Sequence, residues 1–477
     1  MAKQKTKTPM PMQDADARSR NFSLVELGYT DELALQESDR CVRCKKPACV
    51  PNCPVEIDIR AFVQHIQDGN IDEAYYVMTE KNLFPAITGR VCPQEEQCEK
   101  VCVMGIKHEP VGVGFLEKYV GDYAREHGLR PKVPEIQSNG KSIAIIGSGP
   151  AGMSAAADLV KMGYKVTMYE AFHTPGGVLM YGIPEFWLPK DIVQFEIDNL
   201  TALGVEIVCN ALVGRTITMA ELKERFDAIF IGTGAGFPWF LNIPGENLNG
   251  VYSANEFLTR ANLMNAKEFP KAPTPINVGD RVAVIGGGNT AMDAARVARR
   301  LGADSVDIVY RRTRAEMPAR NDEIEHAAEE GINFEFLTAP IEIHGTDEGW
   351  VNEMEMLRME LGEPDDSGRR RPVTIEGSNY RQPYDTVIMA VGQSPNPLLT
   401  SLTPELPTTK WGNIIIESDT LRVSVEDGTI ICAGGDIIGN QAGAGGTVIA
   451  AMGHGKVAAR NMHQALGGII EAVVEEA

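Results

Sequence analysis

The sequence lacks an excess of basic side chains, because 45 lysines and arginines face 65 aspartates and glutamates and the formal net charge is −20. Nucleic acids and anionic membranes both require a basic protein face, so neither is expected as a partner. The remaining composition, 43% hydrophobic and 23% charged, is typical of a globular protein. A length of 477 residues predicts about two to four domains.

Long apolar runs are also missing. No uncharged apolar stretch approaches the length of about 18 residues that a membrane-spanning helix needs. The opening MAKQKTKTPMPMQDADARSR lacks the apolar core of an export signal. We therefore expect a cytoplasmic protein whose first residues, up to about position 20, form a polar and mobile tail.

Cysteine is scarce and concentrated in one region. Seven of the nine cysteines lie between Cys41 and Cys102, whereas Cys209 and Cys432 stand alone. In a reducing cytoplasm such a cluster indicates metal ligation rather than a disulfide framework.

The spacing of these seven cysteines favours iron–sulfur clusters. The first group reads CxxCxxxxCxxxCP and the second CxxxxxCxxxC. Zinc is the alternative, but zinc sites generally pair two short CxxC or histidine motifs, and the second group has none. In two-cluster ferredoxins a run ending in CP sends its last cysteine to the other cluster. This swap assigns Cys41, Cys44, Cys49 and Cys102 to cluster one, and Cys53, Cys92 and Cys98 to cluster two.

Cluster two is then one ligand short. A side chain other than cysteine, or water, must complete it. Sequence distance alone leaves six candidate residues open: Glu95, Glu96, Glu99, His108, Glu109 and Glu117.

The first glycine loop follows the apolar run SIAII and precedes an alanine-rich helical pattern. It reads Gly147, Ser148, Gly149, Pro150, Ala151, Gly152, and Glu170 ends the next strand pattern. Such glycines allow the pyrophosphate of a dinucleotide to approach a helix N-terminus, and the acidic residue accepts the ribose hydroxyls. A carboxylate at this place favours a ribose without a 2′-phosphate, hence FAD or NAD.

A second glycine loop has the same order of apolar strand, glycines and helix, with one change. Gly286, Gly287, Gly288, Asn289 and Thr290 follow the run RVAVI, but the next strand ends in Tyr310, Arg311 and Arg312 instead of an acid. Guanidinium groups bind phosphate bidentately, so Arg311 and Arg312 indicate NADPH rather than NADH. A solvated basic turn is the alternative interpretation.

These patterns predict an α/β protein with two Rossmann-like dinucleotide-binding domains behind an α-helical iron–sulfur domain. We expect the helical domain over residues 1–138, and the FAD-binding domain in two parts over 139–262 and 385–477. The NADPH-binding domain is expected over 263–384, with a hairpin in RMELGEPDDSGRRRPVTIEG. The strand patterns DTVIMAVG and GTIICAGGD are both assigned to the first dinucleotide-binding domain.

The motifs together resemble the family of the small subunit of NADPH-dependent glutamate synthase, over about Arg40 to Arg460. Its relatives include the N-terminal half of dihydropyrimidine dehydrogenase and the large subunit of the bifurcating NADH-dependent ferredoxin:NADP oxidoreductase, or sulfide dehydrogenase alpha subunit. The motifs are CxxCxxxxCxxxCP, GRVCPQEEQCE, GSGPAG, PGGVLMYGIPEF, GGGNTAMDAAR, YRRTRAEMPAR, GEPDDSGRRR and AGGD. The family fold is glutathione-reductase-like behind an iron–sulfur domain.

The resemblance implies further site residues. It nominates Glu117 as the missing ligand of cluster two and places Gly176 and Gly177 beside the flavin. It also places Asp436 at the ribityl or phosphate part of FAD, and Thr447 at the isoalloxazine edge. This chain departs from its relatives at Trp187, where they usually carry a basic residue. Cys209 and Cys432 have no CxxC partner, so we do not expect a flavin-linked disulfide.

The resemblance implies an oxidoreductase that moves electrons between NADP(H), FAD and two 4Fe-4S clusters, with no catalytic side chain because the cofactors react. The first functional interpretation is the small subunit of glutamate synthase, which serves glutamate biosynthesis. The alternative is the large subunit of the bifurcating oxidoreductase. The expected partner is a second redox subunit, either the glutamate synthase large subunit or a ferredoxin-reductase-like flavoprotein, and ferredoxin is a further candidate.

Overall fold

The N-terminal part of the chain folds into a helical unit. The computed structural model describes residues 4–132, 135–365, 368–443 and 445–469. Parts of the expected segments lie outside the described residues: 1–3 and 133–134 in the first segment, Asp366 and Ser367 of the motif GEPDDSGRRR, and 444 and 470–477 in the last segment. The helices of this unit are α1 (Ala15–Arg18), α2 (Asp31–Ser38), α3 (Ile59–Gln67), α4 (Ile71–Lys81), α5 (Pro85–Val91) and α6 (Val113–Glu126).

Amphipathic spacing explains why these helices pack. In α3, Ile59, Phe62, Val63 and Ile66 share the buried face, and the Asp58 side chain caps the helix by accepting from the backbone N–H of Ala61 at 3.0 Å. The loops between the helices carry all seven clustered cysteines. The helices therefore form a scaffold around the two cysteine groups.

The expectation of a mobile tail over the first 20 residues is wrong for the described residues 4–20. The backbone N–H of Thr8 donates to Glu37 Oε2 at 2.7 Å, and Lys7 forms an ion pair with Glu99. Arg18, only 2% exposed, donates from Nε to Glu330 Oε1 at 3.1 Å. Polar residues held this way are buried because their partners come from distant parts of the chain, which local composition cannot reveal.

The first α/β unit begins after the helical unit. Its elements before the crossover are β1 (Ser142–Ile146), α7 (Pro150–Lys161), β2 (Lys165–Tyr169), α8 (Val178–Tyr181), α9 (Lys190–Ala202), β3 (Glu206–Val208), α10 (Met219–Arg225) and β4 (Ala228–Ile231). Almost every residue of β1 and β4 is buried, as expected for parallel strands covered on both faces.

The second α/β unit follows a short crossover strand, β5 (Phe237–Pro238). Its elements are β6 (Val251–Ser253), α11 (Ala254–Asn262), β7 (Arg281–Ile285), α12 (Asn289–Arg300), β8 (Ser305–Tyr310), α13 (Asn321–Glu329), β9 (Asn333–Phe336), β10 (Thr338–Gly345), β11 (Val351–Pro364), β12 (Arg370–Thr374), β13 (Tyr380–Pro383) and β14 (Thr386–Met389). Strands β6, β14, β7, β8 and β9 form a parallel sheet in that order. The predicted hairpin is confirmed, since β11 pairs antiparallel with β12.

The chain then returns to the first α/β unit through β15 (Gln393–Ser394), which pairs with β5. The returning elements are α14 (Leu398–Leu402), β16 (Arg422–Val423), β17 (Ile430–Ala433) and α15 (Val448–Ala465). They complete a six-stranded sheet of order β16-β17-β4-β1-β2-β3, parallel except for the β16–β17 pair.

One strand assignment made from the sequence is wrong. The pattern DTVIMAVG was assigned to the first dinucleotide-binding domain, but β14 pairs in parallel with β7, with Val387 opposite Ala283. Strand β6, expected in the first unit by the boundary at residue 262, pairs with β14 as well. All four residues of β14 are buried, and such a pattern fits any central parallel strand, so hydrophobicity could not choose its sheet. The crossovers therefore lie near β5 and β15. No helix in the described part of the chain is long and apolar enough to cross a membrane.

Candidate functional site

A cavity of about 470 Å³ lies where the helical unit and the two α/β units meet. Its volume is in the range of small-molecule and cofactor sites. Both glycine loops reach it, together with Val91 and Pro93 of the helical unit and Thr447 at the start of α15. The cavity is therefore lined by residues of both predicted nucleotide sites and by the two chain neighbours of Cys92.

The first glycine loop turns from β1 into α7 at the cavity edge. Gly147 has φ +97°, and a Cβ there would lie 2.5 Å from the Gly232 carbonyl oxygen. A Cβ at Gly152 would lie 2.1 Å from the Gly147 carbonyl oxygen, whereas a Cβ at Gly149 would meet no atom within 4 Å. Pro150 and Ala151 open α7, so its free N–H groups face the cavity and suit a pyrophosphate.

Glu170 lies at the end of β2, buried beside this loop. Its Oε2 accepts from the hydroxyl and, at 3.1 Å, from the backbone N–H of Ser148, and its Oε1 accepts from the N–H of Phe172 at 2.8 Å. The Ser148 hydroxyl also accepts from the N–H of Gly176 at 2.9 Å, which brings Gly176 and Gly177 to the loop. Sequence reasoning gave no role to Ser148, although its place inside the glycine motif was visible.

The AGGD segment lines the cavity next to the first glycine loop, where a Cβ at Gly435 would lie 3.1 Å from Ala151 Cβ. Asp436 lines the cavity and accepts from the N–H of Gly446 at 3.1 Å, while burial raises its pKa. Thr447 caps α15 by accepting from the N–H of Ala450 at 3.3 Å. The N-terminus of this 18-residue helix therefore lies at the cavity, and among the described residues no group donates to Asp436 Oδ2.

Four of the cysteines lie close together in the chain's half-buried layer: Cys41, Cys44, Cys49 and Cys102. Burial, aided by the neighbouring thiols of Cys102, Cys41 and Cys44, raises the pKa of the Cys49 thiol to about 11. All four are half-buried. The structure thus brings together the four cysteines assigned to cluster one.

The other three cysteines lie deeper, around Glu117. Burial raises the pKa of Cys92, and Glu117, Cys53 and Cys98 raise it further. Glu117 is 5% exposed, and burial raises its pKa to about 7. The four side chains assigned to cluster two therefore face one another.

The hydrogen bonds of Glu117 leave one oxygen for a ligand role. Its Oε1 accepts from Asn82 Nδ2 at 3.1 Å and from the hydroxyl of Thr88. Among the described residues no group donates to Oε2. A carboxylate oxygen without a donor, on a side chain close to three thiols, fits an iron cluster. Asn82 and Thr88 were not identified from the sequence, since nothing in their spacing marks them.

The competing candidates for the eighth ligand are engaged elsewhere. Glu99 pairs with Lys7, Glu96 with Lys100 at 2.8 Å, and Glu95 with Arg320 at 2.9 Å. Glu109 accepts from the backbone N–H of Lys7 at 2.6 Å, and His108 is exposed. The geometry therefore favours Glu117 among the six residues that sequence distance left open.

The second glycine loop opens toward the same cavity. Gly286 has φ +143°, and a Cβ there would lie 2.3 Å from the Ala390 carbonyl oxygen. Gly287 packs against the ring of Tyr310, and Gly288 precedes α12. Asn289 and Thr290 line the cavity, so the two loops face each other across it.

The two arginines predicted to bind a 2′-phosphate have different surroundings. Arg311 is exposed and makes no hydrogen bond or ion pair with the described residues. Arg312 is 5% exposed and donates to the Arg370 carbonyl at 2.7 Å and to Asp365 Oδ2 at 2.8 Å. Arg312 therefore holds the β11–β12 hairpin, and a phosphate would have to displace these bonds. Arg311 is the arginine free to bind one.

Trp187 and Arg320 are cavity residues whose roles were not anticipated. The Trp187 indole N–H donates to the Arg90 carbonyl at 3.1 Å, and the Arg320 guanidinium carbon lies 5.6 Å from the Trp187 ring centroid. The aromatic face of Trp187 accommodates Arg320, where a second cation would repel it.

Known proteins share this architecture. Residues 141–455 match the family of pyridine nucleotide-disulphide oxidoreductases, and residues 18–129 match dihydropyrimidine dehydrogenase domain II, a 4Fe-4S cluster domain. The structure is similar to that of Mycobacterium tuberculosis FprA in complex with NADPH, with a TM-score of 0.55 and 25% identity, covering 69% of this chain and 85% of FprA.

The sequence comparisons reach over nearly the whole chain. It is 36% identical over 455 residues to the glutamate synthase (NADPH) small chain of Azospirillum brasilense, which covers 94% of this chain and 92% of that protein. It is 38% identical over 441 residues to the NADP(+)-dependent formate dehydrogenase subunit beta of Moorella thermoacetica, covering 88% of this chain and 60% of that protein. The chain therefore belongs to the glutamate synthase small-chain family of NADPH-dependent oxidoreductases, which carry FAD and 4Fe-4S clusters.

Proposed function

We propose that this chain is the electron-input subunit of a glutamate synthase-type complex, taking electrons from NADPH and passing them to a second redox subunit that forms glutamate. The observation that carries the proposal is one cavity lined by residues of both glycine loops and by Val91 and Pro93, the chain neighbours of Cys92. The match over 92% of a glutamate synthase small chain, against 60% of the formate dehydrogenase subunit, favours this complex.

The first α/β unit would bind FAD. The α7 N-terminus behind Gly147, Gly149 and Gly152 would hold the pyrophosphate, and Glu170 the ribose. Gly176 and Gly177, Asp436 and Thr447 would line the flavin side. FAD, when bound there, supplies the chemistry that accepts a hydride and releases single electrons. The protein contributes position, dry walls and electrostatics.

The second α/β unit would bind NADPH. Its loop Gly286, Gly287, Gly288, Asn289 and Thr290 would hold the pyrophosphate and the adjoining ribose, and Arg311 the 2′-phosphate. Because the two loops face each other across one cavity, the nicotinamide and the flavin would meet inside it. Hydride transfer then needs no side chain as acid or base.

The positions of the proposed cluster ligands suggest the path that electrons would take through the helical unit. Cys53, Cys92, Cys98 and Glu117 would hold cluster two behind the cavity wall formed by Val91 and Pro93. Cys41, Cys44, Cys49 and Cys102, which are half-buried, would hold cluster one. A half-exposed cluster can pass electrons to another protein, so we place the partner subunit over cluster one.

Affinity purification of the chain under anaerobic conditions tests this function. We expect a large glutaminase-type flavoprotein to co-purify, and the isolated chain to reduce an artificial acceptor with NADPH without forming glutamate. Co-purification of a small ferredoxin-reductase-like flavoprotein would instead indicate the bifurcating complex. Zinc in place of iron in the purified chain would contradict both.

The free guanidinium of Arg311 predicts a test of cofactor choice. We expect Arg311→Gln to weaken NADPH binding about tenfold or more, since a charge-assisted bond to phosphate is lost, while NADH binding stays unchanged. Titration calorimetry with both nucleotides measures this. Arg312→Gln is the matched control, because its bonds go to Asp365 and Arg370, and we expect a smaller change for NADPH. An unchanged preference in Arg311→Gln would remove Arg311 from the phosphate site.

A further inference from the structure

Arg320 joins all three units at the cavity. Its guanidinium donates to Glu95 Oε1 at 2.9 Å and Oε2 at 3.1 Å, and to Gln94 Oε1 at 3.0 Å. Its backbone N–H donates to Asn289 Oδ1 at 2.9 Å. One residue at the start of α13 therefore contacts both the second glycine loop and the loop between Cys92 and Cys98.

Arg320 also forms part of the wall between the cavity and cluster two. It lines the cavity with Trp187, Val91 and Pro93, and Cys92 lies between the last two in the chain. The Trp187 indole is fixed to the Arg90 carbonyl and lies under the Arg320 guanidinium. The wall is thus built from side chains of three units held together by one cation.

The contacts of Arg320 extend to a cluster-two ligand. Gln94, which accepts from Arg320, is buried over Gly114, where a Cβ would lie 2.1 Å from Gln94 Nε2. Gly114 and Glu117 belong to the same helix, α6, one turn apart. A shift of Gln94 would therefore also displace α6, the helix that carries Glu117.

The ion pair between Arg320 and Glu95 requires the planar geometry of a guanidinium group. The Arg320 side chain is 11% exposed, and its planar fork bonds to both oxygens of Glu95, which a lysine cannot reproduce. Removing the guanidinium would leave Glu95 without its cation beside Cys92 and Cys98. This part-buried pair, in which the Glu95 side chain is 33% exposed, fixes the position of the loop and sets the local charge together.

We propose that Arg320 is a positioning residue that holds the cluster-two loop against the cavity wall and balances the charge of Glu95. It therefore governs the electron step between the flavin site and cluster two more strongly than it governs hydride transfer from NADPH. This inference rests on the proposed function, because it assumes FAD in the cavity and a cluster on Cys53, Cys92, Cys98 and Glu117.

The test uses the anaerobic holoprotein and the variant Arg320→Gln, mixed with NADPH in a stopped-flow spectrometer. We expect cluster bleaching to slow about tenfold or more relative to flavin bleaching in the same trace, since a misplacement of about 1 Å can cost a reaction about 100-fold. The electron paramagnetic resonance spectrum of cluster two should change, and its midpoint potential should become more negative because Glu95 is left unpaired. The bond to Asn289 comes from the backbone and is kept in the variant, so the NADPH dissociation constant should change less than the cluster rate.

Further variants separate charge from position. Arg320→Lys keeps the charge without the fork, so it should preserve the potential and recover only part of the rate. The double variant Glu95→Gln with Arg320→Gln removes both charges and should restore the potential but not the rate. Arg125→Gln is the matched control, because it breaks an ion pair of 3.3 Å with Asp191 between two units and Arg125 does not line the cavity. It should change none of these quantities.

Two outcomes would overturn the inference. Wild-type rates, spectrum and potential in Arg320→Gln would show that the residue does not position cluster two. A parallel loss of NADPH affinity and flavin bleaching would make it a nucleotide-binding residue instead. Wild-type protein without FAD or iron would contradict the proposed function itself, and metal and flavin assays detect that separately from any difference between variants.

Discussion

Replacing Glu117 with leucine should remove one of two clusters, lowering the iron content from about eight to about four atoms per chain while FAD is retained. Leucine offers no donor atom to iron and leaves Asn82 and Thr88 without their buried acceptor. Iron, sulfide and flavin assays on anaerobically purified protein measure the result. Electron transfer from NADPH to the partner should fall to background, since the proposed path from the cavity to cluster one runs through cluster two.

Two controls accompany this variant. Glu117→Gln keeps an oxygen donor in place and should retain most of the iron. Glu196→Gln alters another buried carboxyl, which accepts from the backbone N–H of Ala86 at 3.0 Å and whose pKa burial raises to about 8. We expect full iron content there. Iron near eight atoms in Glu117→Leu would show that cluster two is completed by another ligand.

Two substitutions in the first glycine loop should abolish FAD binding for different reasons. A Cβ at Gly149 meets no protein atom within 4 Å and projects into open space beside the cavity, so Gly149→Val should fold normally and lose its flavin. A Cβ at Gly152 would lie 2.1 Å from the Gly147 carbonyl oxygen. Gly152→Ala should therefore force α7 away from β1 and destabilise the protein by about 1–3 kcal/mol as well.

Flavin content and thermal unfolding of flavin-free protein separate the two effects. The expected pattern is a wild-type melting temperature for flavin-free Gly149→Val and a lowered one for Gly152→Ala. Full flavin content in Gly149→Val would mean that the pyrophosphate does not lie against this loop. An unchanged melting temperature in Gly152→Ala would mean that the loop relaxes without cost.

The two cysteine groups illustrate what spacing can reveal. The CP ending suggested that Cys53 leaves its own group, and in the structure Cys53 lies near Cys92, Cys98 and Glu117. Spacing could not choose Glu117, because six residues were near enough along the chain. The choice depends on the direction in which α6 points its side chains, and that is set by packing against α5.

The units of the fold were predicted better than their boundaries. The two strand–glycine–helix repeats are local patterns, so both were visible from the sequence. The assignment of β14 was wrong because the sequence of a fully buried strand carries no information about its neighbours. Arg312 shows the same limit for a side chain, since its partners Asp365 and Arg370 come from a hairpin more than 50 positions away.

The kinds of cofactor could be predicted from sequence patterns alone: thiols at cluster spacing, two glycine loops, an acid after one and arginines after the other. These motifs are short and local, so they can be recognised without knowledge of the fold. Only the tertiary structure decided which groups meet. Arg320 and Glu95 are separated by 225 positions, and Arg18 and Glu330 by 312. Such pairs depend on how whole units pack, and that packing places the flavin cavity, the cluster-two wall and the buried N-terminal segment.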